Sequence, residues 1–186
     1  MTSPAKALFL DRDGVINREV NYLHKIEDFE FLPYVFETCR RFIAAGYQII
    51  IITNQAGIGR GYYSEAQYQT LTDWMLAEFT ANQITITKVY HCPHHPTDAL
   101  GEYKIQCDCR KPEPGMLLSA AKEFHLDLKK SILIGDKVSD IQAGRNAQVG
   151  DCYLVSTGHA LREHDIKLSD GCFNNLQQLT DSVLGK

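Results

Sequence analysis

Ile49, Ile50, Ile51 and Ile52 stand in a row inside the segment 47–53. Successive side chains of a strand point to opposite faces, so a run that is apolar at every position needs cover on both sides. This is the pattern of a central strand in a parallel sheet with helices above and below. The flanking segments fit it. Residues 7–10 form a short apolar run that ends in Asp11-Arg12-Asp13-Gly14. Pro33 opens a helical pattern with Val35, Phe36, Cys39, Phe42 and Ile43 on one face, and Gly46 stops it. Ser64 with Gln67 three residues on reads as a capping box. Residues 84–90 alternate as a third strand and Pro114 begins a helix. Residues 131–135 form a strand running into Asp136, 138–147 a helix, 152–155 a fifth strand and 174–184 a closing helix. Such alternation predicts an α/β, Rossmann-like, mainly parallel sheet with helices on both faces. At 186 residues the chain suits one domain, 1–186.

Composition narrows the function classes. Nineteen Lys+Arg against 23 Asp+Glu give a net charge of −4, without the basic excess of a nucleic-acid binder. No apolar stretch approaches the roughly 20 residues of a membrane span, and the N-terminus carries no apolar signal region. The expectation is a soluble, cytoplasmic protein that binds neither nucleic acid nor membrane. With no exposed apolar stripe evident, a monomer is expected.

In parallel sheets ligands bind beyond the carboxyl ends of the strands. Asp11 and Asp13 follow the first strand, Thr53 and Asn54 the second, and Asp136 the fourth, with Asp140 one helical turn later. An isolated Asp-x-Asp is most often an ordinary acidic turn. Two close carboxylates nevertheless repel unless a cation or proton intervenes. Together with a hydroxyl at Thr53 and fixed positive charge at Lys111, they describe a phosphate site with a hard cation, Mg²⁺.

The 19 residues 91–109 carry no regular pattern, which needs a separate source of order. Cys92-x-His94, twelve residues, then Cys107-x-Cys109 supply a Cys₃His set, suited to closed structural zinc. His91 and His95 are alternatives to His94, which the symmetric x-spacing favours. Cys107 and Cys109 are too close for a relaxed mutual disulfide. Cys39, Cys152 and Cys172 read as small core residues.

Asp11-Arg12-Asp13-Gly14-Val15, Thr53, Lys111 and Gly135-Asp136-x-x-x-Asp140 resemble, in order, the four motifs of the haloacid dehalogenase (HAD) superfamily of phosphotransferases. The resemblance implies that Asp11 is the nucleophile, forming an aspartyl-phosphate, and Asp13 the general acid and base. Thr53 and Lys111 would hold phosphate oxygens. Asp11, the Asp13 backbone carbonyl and Asp136 would bind Mg²⁺. Thr53-Asn54-Gln55-Ala56-Gly57-Ile58, Cys92-Pro93-His94-His95-Pro96 and Cys107-Asp108-Cys109-Arg110-Lys111-Pro112 further resemble the zinc-bearing subfamily of heptose bisphosphate and histidinol-phosphate phosphatases. The long zinc spacer leans toward a sugar bisphosphate substrate, losing its C7 phosphate in nucleotide-activated heptose (lipopolysaccharide core) synthesis. Val15 and Ala56 depart from the common Thr and Ser.

Only 41 residues separate Asp11 from Thr53 and 57 separate Thr53 from Lys111, too few for a cap domain, so the resemblance implies a capless HAD fold with a zinc loop at 91–110. Substrate contacts are then expected from loops: Glu19, Asn21, Tyr22, Asn54, Gln55 and, for a distal phosphate, Arg110. The 57–61 glycine cluster reads as a turn, and His24, His125, His159 and His164 as surface residues. Histidinol-phosphate hydrolysis is the alternative reading, and a catalytically inactive zinc-stabilised binding module the reading from a different class.

Overall fold

The isoleucine strand lies one place from the edge of a six-stranded sheet in the computed structural model, which describes residues 4–185. The strands are β1 (Lys6–Leu10), β2 (Tyr47–Asn54), β3 (Ile86–Cys92), β4 (Ile132–Gly135), β5 (Asp151–Val155) and β6 (Gly171–Phe173). Their spatial order is β3-β2-β1-β4-β5-β6, and every pair is parallel. The order reverses between β1 and β4, which opens a crevice at their carboxyl ends.

Alternation along β2 divides the core in two. Ile49 and Ile51 join Leu8, Leu10, Ile132 and Ile134 on one face, covered by α1 (Val35–Ala44), α3 (Glu65–Ala81) and α7 (Leu176–Leu184). Ile50 and Ile52 join Ala7, Phe9 and Leu133 on the other, covered by α4 (Gly115–Phe124) and α5 (Val138–Asn146). Each isoleucine is at most 1% exposed, and burying such a side chain contributes about 1.5–3 kcal/mol. Phe42 and Tyr68 are buried on helix faces, and Phe36 and Trp74 pack against the first core.

Several boundaries differ from the sequence reading. The helix after Pro33 starts at Val35, because Tyr34 takes a left-handed conformation (φ 69°). The third strand runs from Ile86 to Cys92: Gln83 is also left-handed, Ile84 donates its N–H back to Phe79, and the register slips opposite Ile49/Ile50. Thus the strand extends into the expected zinc loop, where a further 3-10 turn forms at Gly101–Tyr103. The glycine cluster begins as a four-residue helix, α2 (Ala56–Gly59). Two short elements, α6 (Glu163–Lys167) and β6, fill the stretch before the closing helix. The Ser64–Gln67 capping box forms with both reciprocal bonds, at 3.2 and 2.8 Å. Among the described residues no helix is long and apolar enough to cross a membrane.

Helix α5 packs on β5 through Gly144, where a methyl group would collide with the buried Cys152 sulfur. Gly144→Ala is expected to destabilise the fold by about 1–3 kcal/mol through overpacking. Urea unfolding measures this, and the penalty should shrink when the same change is made on a Cys152→Ala background.

Candidate active site

The crevice between β1 and β4 gathers the strand-end acids. Asp11 leaves β1 and Asp136 leaves β4, while Asp140 sits in the first turn of α5 and accepts the Lys137 N–H at 3.0 Å. Asp11, Asp136 and Asp140 bring carboxylate oxygens within 4.8 Å of one another, all buried. Lys111 reaches into this group: its Nζ lies 2.9 Å from Asp11 Oδ1 and 2.6 Å from Asp140 Oδ1, and donates to the Ile52 carbonyl at 3.1 Å. Burial works against the Lys111 charge, but Asp11 and Asp140 overcome it and raise its pKa, so the ammonium persists. Asp11 Oδ1 also accepts the Arg12 N–H at 2.8 Å. Both bonds fall on Oδ1, which leaves Oδ2 as the less encumbered oxygen.

Three carboxylates against the ammonium groups of Lys111 and, farther out, Lys137 leave excess negative charge. Burial, then the repulsion of Asp11 and Asp140, pushes the Asp136 carboxyl up to about 9. Its Oδ1 is buried without a hydrogen-bond partner among the described residues. A recess of about 30 Å³ opens beside Asp11, Lys111 and Asp140, enough for a water-sized group. An orphaned hard oxygen among three crowded carboxylates suits a hard divalent cation.

Asp13 lines the same recess but has partners of its own. Arg12, itself 1% exposed, pairs with it at 3.0 Å, Asn17 donates to its Oδ1 at 3.0 Å and Gln55 to its Oδ2 at 3.1 Å. Burial alone would raise the Asp13 carboxyl, but the Arg12 guanidinium and the Asn17 amide outweigh it and hold the group below the ordinary carboxylate range. Gln55 also donates to Thr53 Oγ1 at 2.8 Å and accepts from the Tyr63 hydroxyl. Asn54 accepts the Lys111 N–H and donates to the Lys111 carbonyl, both at 3.0 Å. Two of the expected substrate contacts therefore have internal work: Gln55 orients Thr53 and Asp13, and Asn54 fixes the Lys111 backbone. Thr53 is fully buried and lies off the cleft wall.

Above the recess lies a cleft of about 350 Å³. Glu19, Asn21, Tyr22, Asn54, Gln55 and Arg110 all line it, as the sequence suggests. So do Arg60, Lys137 and His159, which it did not single out. Arg60 pairs with Asp98 at 3.2 Å and lies 5.7 Å from the Tyr22 ring centre. Glu19 is held by Lys137 at 3.4 Å. His159, expected as a bystander on the surface, instead brings its ring Nδ1 to 2.5 Å from Asp136 Oδ2. Lys137 follows Asp136 directly and could have been marked on that ground. His159 lies 23 positions along the chain from its partner, and no local pattern signals the contact.

Cys92, His94, Cys107 and Cys109 also converge. Their sulfurs are 2.9–3.5 Å apart, and His94 Nδ1 lies 3.5 and 3.7 Å from Cys109 and Cys92. A tetrahedral ion at Zn–S of about 2.3 Å and Zn–N of about 2.0 Å demands edges of roughly 3.5–3.8 Å, so a small expansion suffices. His95 instead accepts backbone N–H groups from Thr97 and Asp98, and His91 contacts Glu65 at 3.0 Å. Arg110 donates to the His94 carbonyl at 3.2 Å, tying this knot to the cleft.

The Asn54 brace has a measurable weight. Asn54→Ala strips two partners from the Lys111 backbone and should cost about 1–3 kcal/mol, the range for unsatisfied buried polar groups. Chemical denaturation reads the loss.

Comparison with known proteins follows the same lines. The family model described as HAD-hydrolase-like matches residues 108–179. The chain is 54% identical over 158 residues, 85% of its length, to a D-glycero-alpha-D-manno-heptose-1,7-bisphosphate 7-phosphatase of Photorhabdus laumondii, covering 86% of that protein. It is 40% identical over 183 residues, 98% of its length, to a D-glycero-beta-D-manno-heptose-1,7-bisphosphate 7-phosphatase of Escherichia coli, covering 96% of that protein. Among solved structures, the D,D-heptose 1,7-bisphosphate phosphatase from B. bronchiseptica, complexed with magnesium and phosphate, superimposes with a TM-score of 0.80 at 28% identity. That match covers 96% of this chain and 98% of the other. The chain belongs to the heptose-1,7-bisphosphate 7-phosphatase family of HAD-like hydrolases.

Proposed function

We propose that this chain is a phosphomonoesterase that removes the C7 phosphate of D-glycero-α-D-manno-heptose 1,7-bisphosphate. The observation that carries the reading is the Asp11–Lys111 pair at the base of a cleft walled by Arg60, Arg110 and Lys137. A cationic wall above a buried carboxylate suits a ligand with one phosphate at the floor and a second farther out. The bisphosphatases among its relatives support the substrate class, and the higher identity to the alpha-named relative, 54% against 40%, supports the α anomer.

Asp11 Oδ2 attacks phosphorus, and the bond from phosphorus to the C7 oxygen breaks, which gives an aspartyl-phosphate and divides one hard displacement into two. Lys111 holds a phosphate oxygen, and the Thr53 hydroxyl, aimed by Gln55 from behind the cleft wall, is the second group proposed to reach one. Asp13 gives its proton to the departing C7 oxygen, then takes one from the water that attacks the intermediate. Such proton transfer contributes about 10²–10⁴-fold. In the free chain Asp13 is held ionised, ready for the second step; the charge of the arriving phosphate favours its protonation for the first. Asp11, Asp136 and the Asp13 carbonyl would hold Mg²⁺, which supplies charge neutralisation between the anionic nucleophile and the anionic phosphate. Asp140, absent from the expected ligand set, keeps Lys111 in place beside them.

We assign structural zinc to Cys92, His94, Cys107 and Cys109, whose four soft ligands fill a tetrahedral ion. In this reading residues 1–186 form a single catalytic domain, with the zinc loop at 91–110 presenting Arg110 and Lys111. A monomer fits this reading, with the cleft residues named above all drawn from one chain. Six unpaired cysteines suit a reducing, cytoplasmic setting.

The deciding experiment compares Mg²⁺-dependent phosphate release from the α and β heptose 1,7-bisphosphates and from histidinol phosphate, with Asp11→Asn as the blank. A preference for the α sugar of about 100-fold or more over histidinol phosphate in kcat/KM, near 3 kcal/mol of transition-state binding, is expected. Equal rates on all three would refute the substrate assignment, and full turnover by Asp11→Asn the nucleophile. The zinc assignment has its own readout. Metal analysis should find one zinc per chain, and Cys107→Ser should lose it and lower Tm by ~4 °C or more, the shift that 1–2 kcal/mol makes in a domain of this size.

A further inference from the structure

The two oxygens of Asp136 have unequal surroundings. Oδ2 meets one residue twice: it accepts the His159 backbone N–H at 3.2 Å and lies 2.5 Å from that residue's ring Nδ1. Oδ1, equally buried, receives none among the described residues. Once Asp136 is ionised, as a cation ligand is, a neutral imidazole this close must carry its proton on Nδ1, since the other tautomer would turn a lone pair on the carboxylate. The approach is built into the backbone. Thr157 donates its hydroxyl to the Gly14 carbonyl at 2.6 Å, and Ser156 donates its N–H to the Phe173 carbonyl at 3.0 Å, which seats the loop after β5. Gly14 and Gly158 meet over Asp136, where a methyl group on either would strike Oδ2. Glu19 flanks the ring at 3.9 Å and is itself tied to Lys137.

We infer that His159 is a positioning residue for Asp136. By occupying Oδ2 it reserves Oδ1 as the coordinating oxygen, and it thereby sets how tightly the carboxylate floor holds a divalent cation. The inference rests on the proposal that Asp11 and Asp136 bind Mg²⁺. Partners one layer behind a metal ligand typically change affinity by about 10–100-fold when removed.

Titration of the full chain with Mn²⁺, followed by the electron paramagnetic resonance of the free ion and without substrate, tests this directly. His159→Ala should bind Mn²⁺ about 10-fold more weakly than the unaltered chain. His159→Asn, whose amide N–H can stand where Nδ1 does, should recover most of the affinity. The Mg²⁺ concentration for half-maximal phosphate release should rise in parallel for His159→Ala. His164→Ala, changed on an exposed surface, serves as the bystander, and circular dichroism reports the fold of every variant. Unaltered Mn²⁺ affinity in His159→Ala would overturn the inference, as would an equal loss in His159→Ala and His159→Asn. If Asp136→Asn binds Mn²⁺ as well as the unaltered chain, the cation reading fails first and the inference with it, so the two failures are distinguishable.

Discussion

A lysine ammonium sealed between two aspartates organises this molecule. Lys111 Nζ touches Asp11 and Asp140 at 2.9 and 2.6 Å, with 3% of its side chain exposed. Removing one member of such a group leaves a buried charge uncompensated, at a cost of about 3–5 kcal/mol. The chain must therefore bring three distant segments to one point: the end of β1, the start of α5 and the stretch before α4. The parallel sheet delivers the first two without further help, because adjacent strands β1 and β4 end side by side. The third arrives from a long excursion out of β3, and it needs the Asn54 brace and the cysteine–histidine knot to land in register.

The core and its periodicities were plain in the sequence because each depends on neighbours a few residues apart. Four isoleucines announce a strand covered on both faces, and Ser64 with Gln67 announces a cap. The boundaries that moved did so for backbone reasons. Tyr34 and Gln83 both take left-handed conformations, which L residues adopt only when the surrounding fold demands it. The three-residue β6 has too little length to carry a period at all.

The site divides in the same manner. Asp11, Asp13, Thr53, Lys111 and Asp136 are marked by their place at strand ends and by a resemblance of motifs. What no spacing discloses is the use to which a polar side chain is put. Asn54 and Gln55 look like ligand contacts from their position after β2, yet both hold other site residues in place. His159 belongs to the cleft through long-range packing, and nothing beside it in sequence hints at it, whereas Arg60 follows closely on the 54–57 stretch that lines the same cleft.

The cleft draws its floor and its walls from separate sources. The reactive charges sit on strand ends and the first turn of a helix, fixed by the sheet. One side of the wall comes from the 19–23 loop, Arg60 and Arg110, which the cysteine–histidine excursion steers through the Arg60–Asp98 pair and the His94 carbonyl. Lys137 and His159 close the other side, next to Asp136. Lys111 is gripped by Asn54, so residues 95–106 can lengthen, shorten or change sign while the floor stays put. The Arg60 and Arg110 side of the cleft is thereby free to change apart from the reactive centre. A lineage could redirect those two arginines by rewriting loop residues that do not themselves line this cleft, with no generation in which the reactive centre had to be rebuilt.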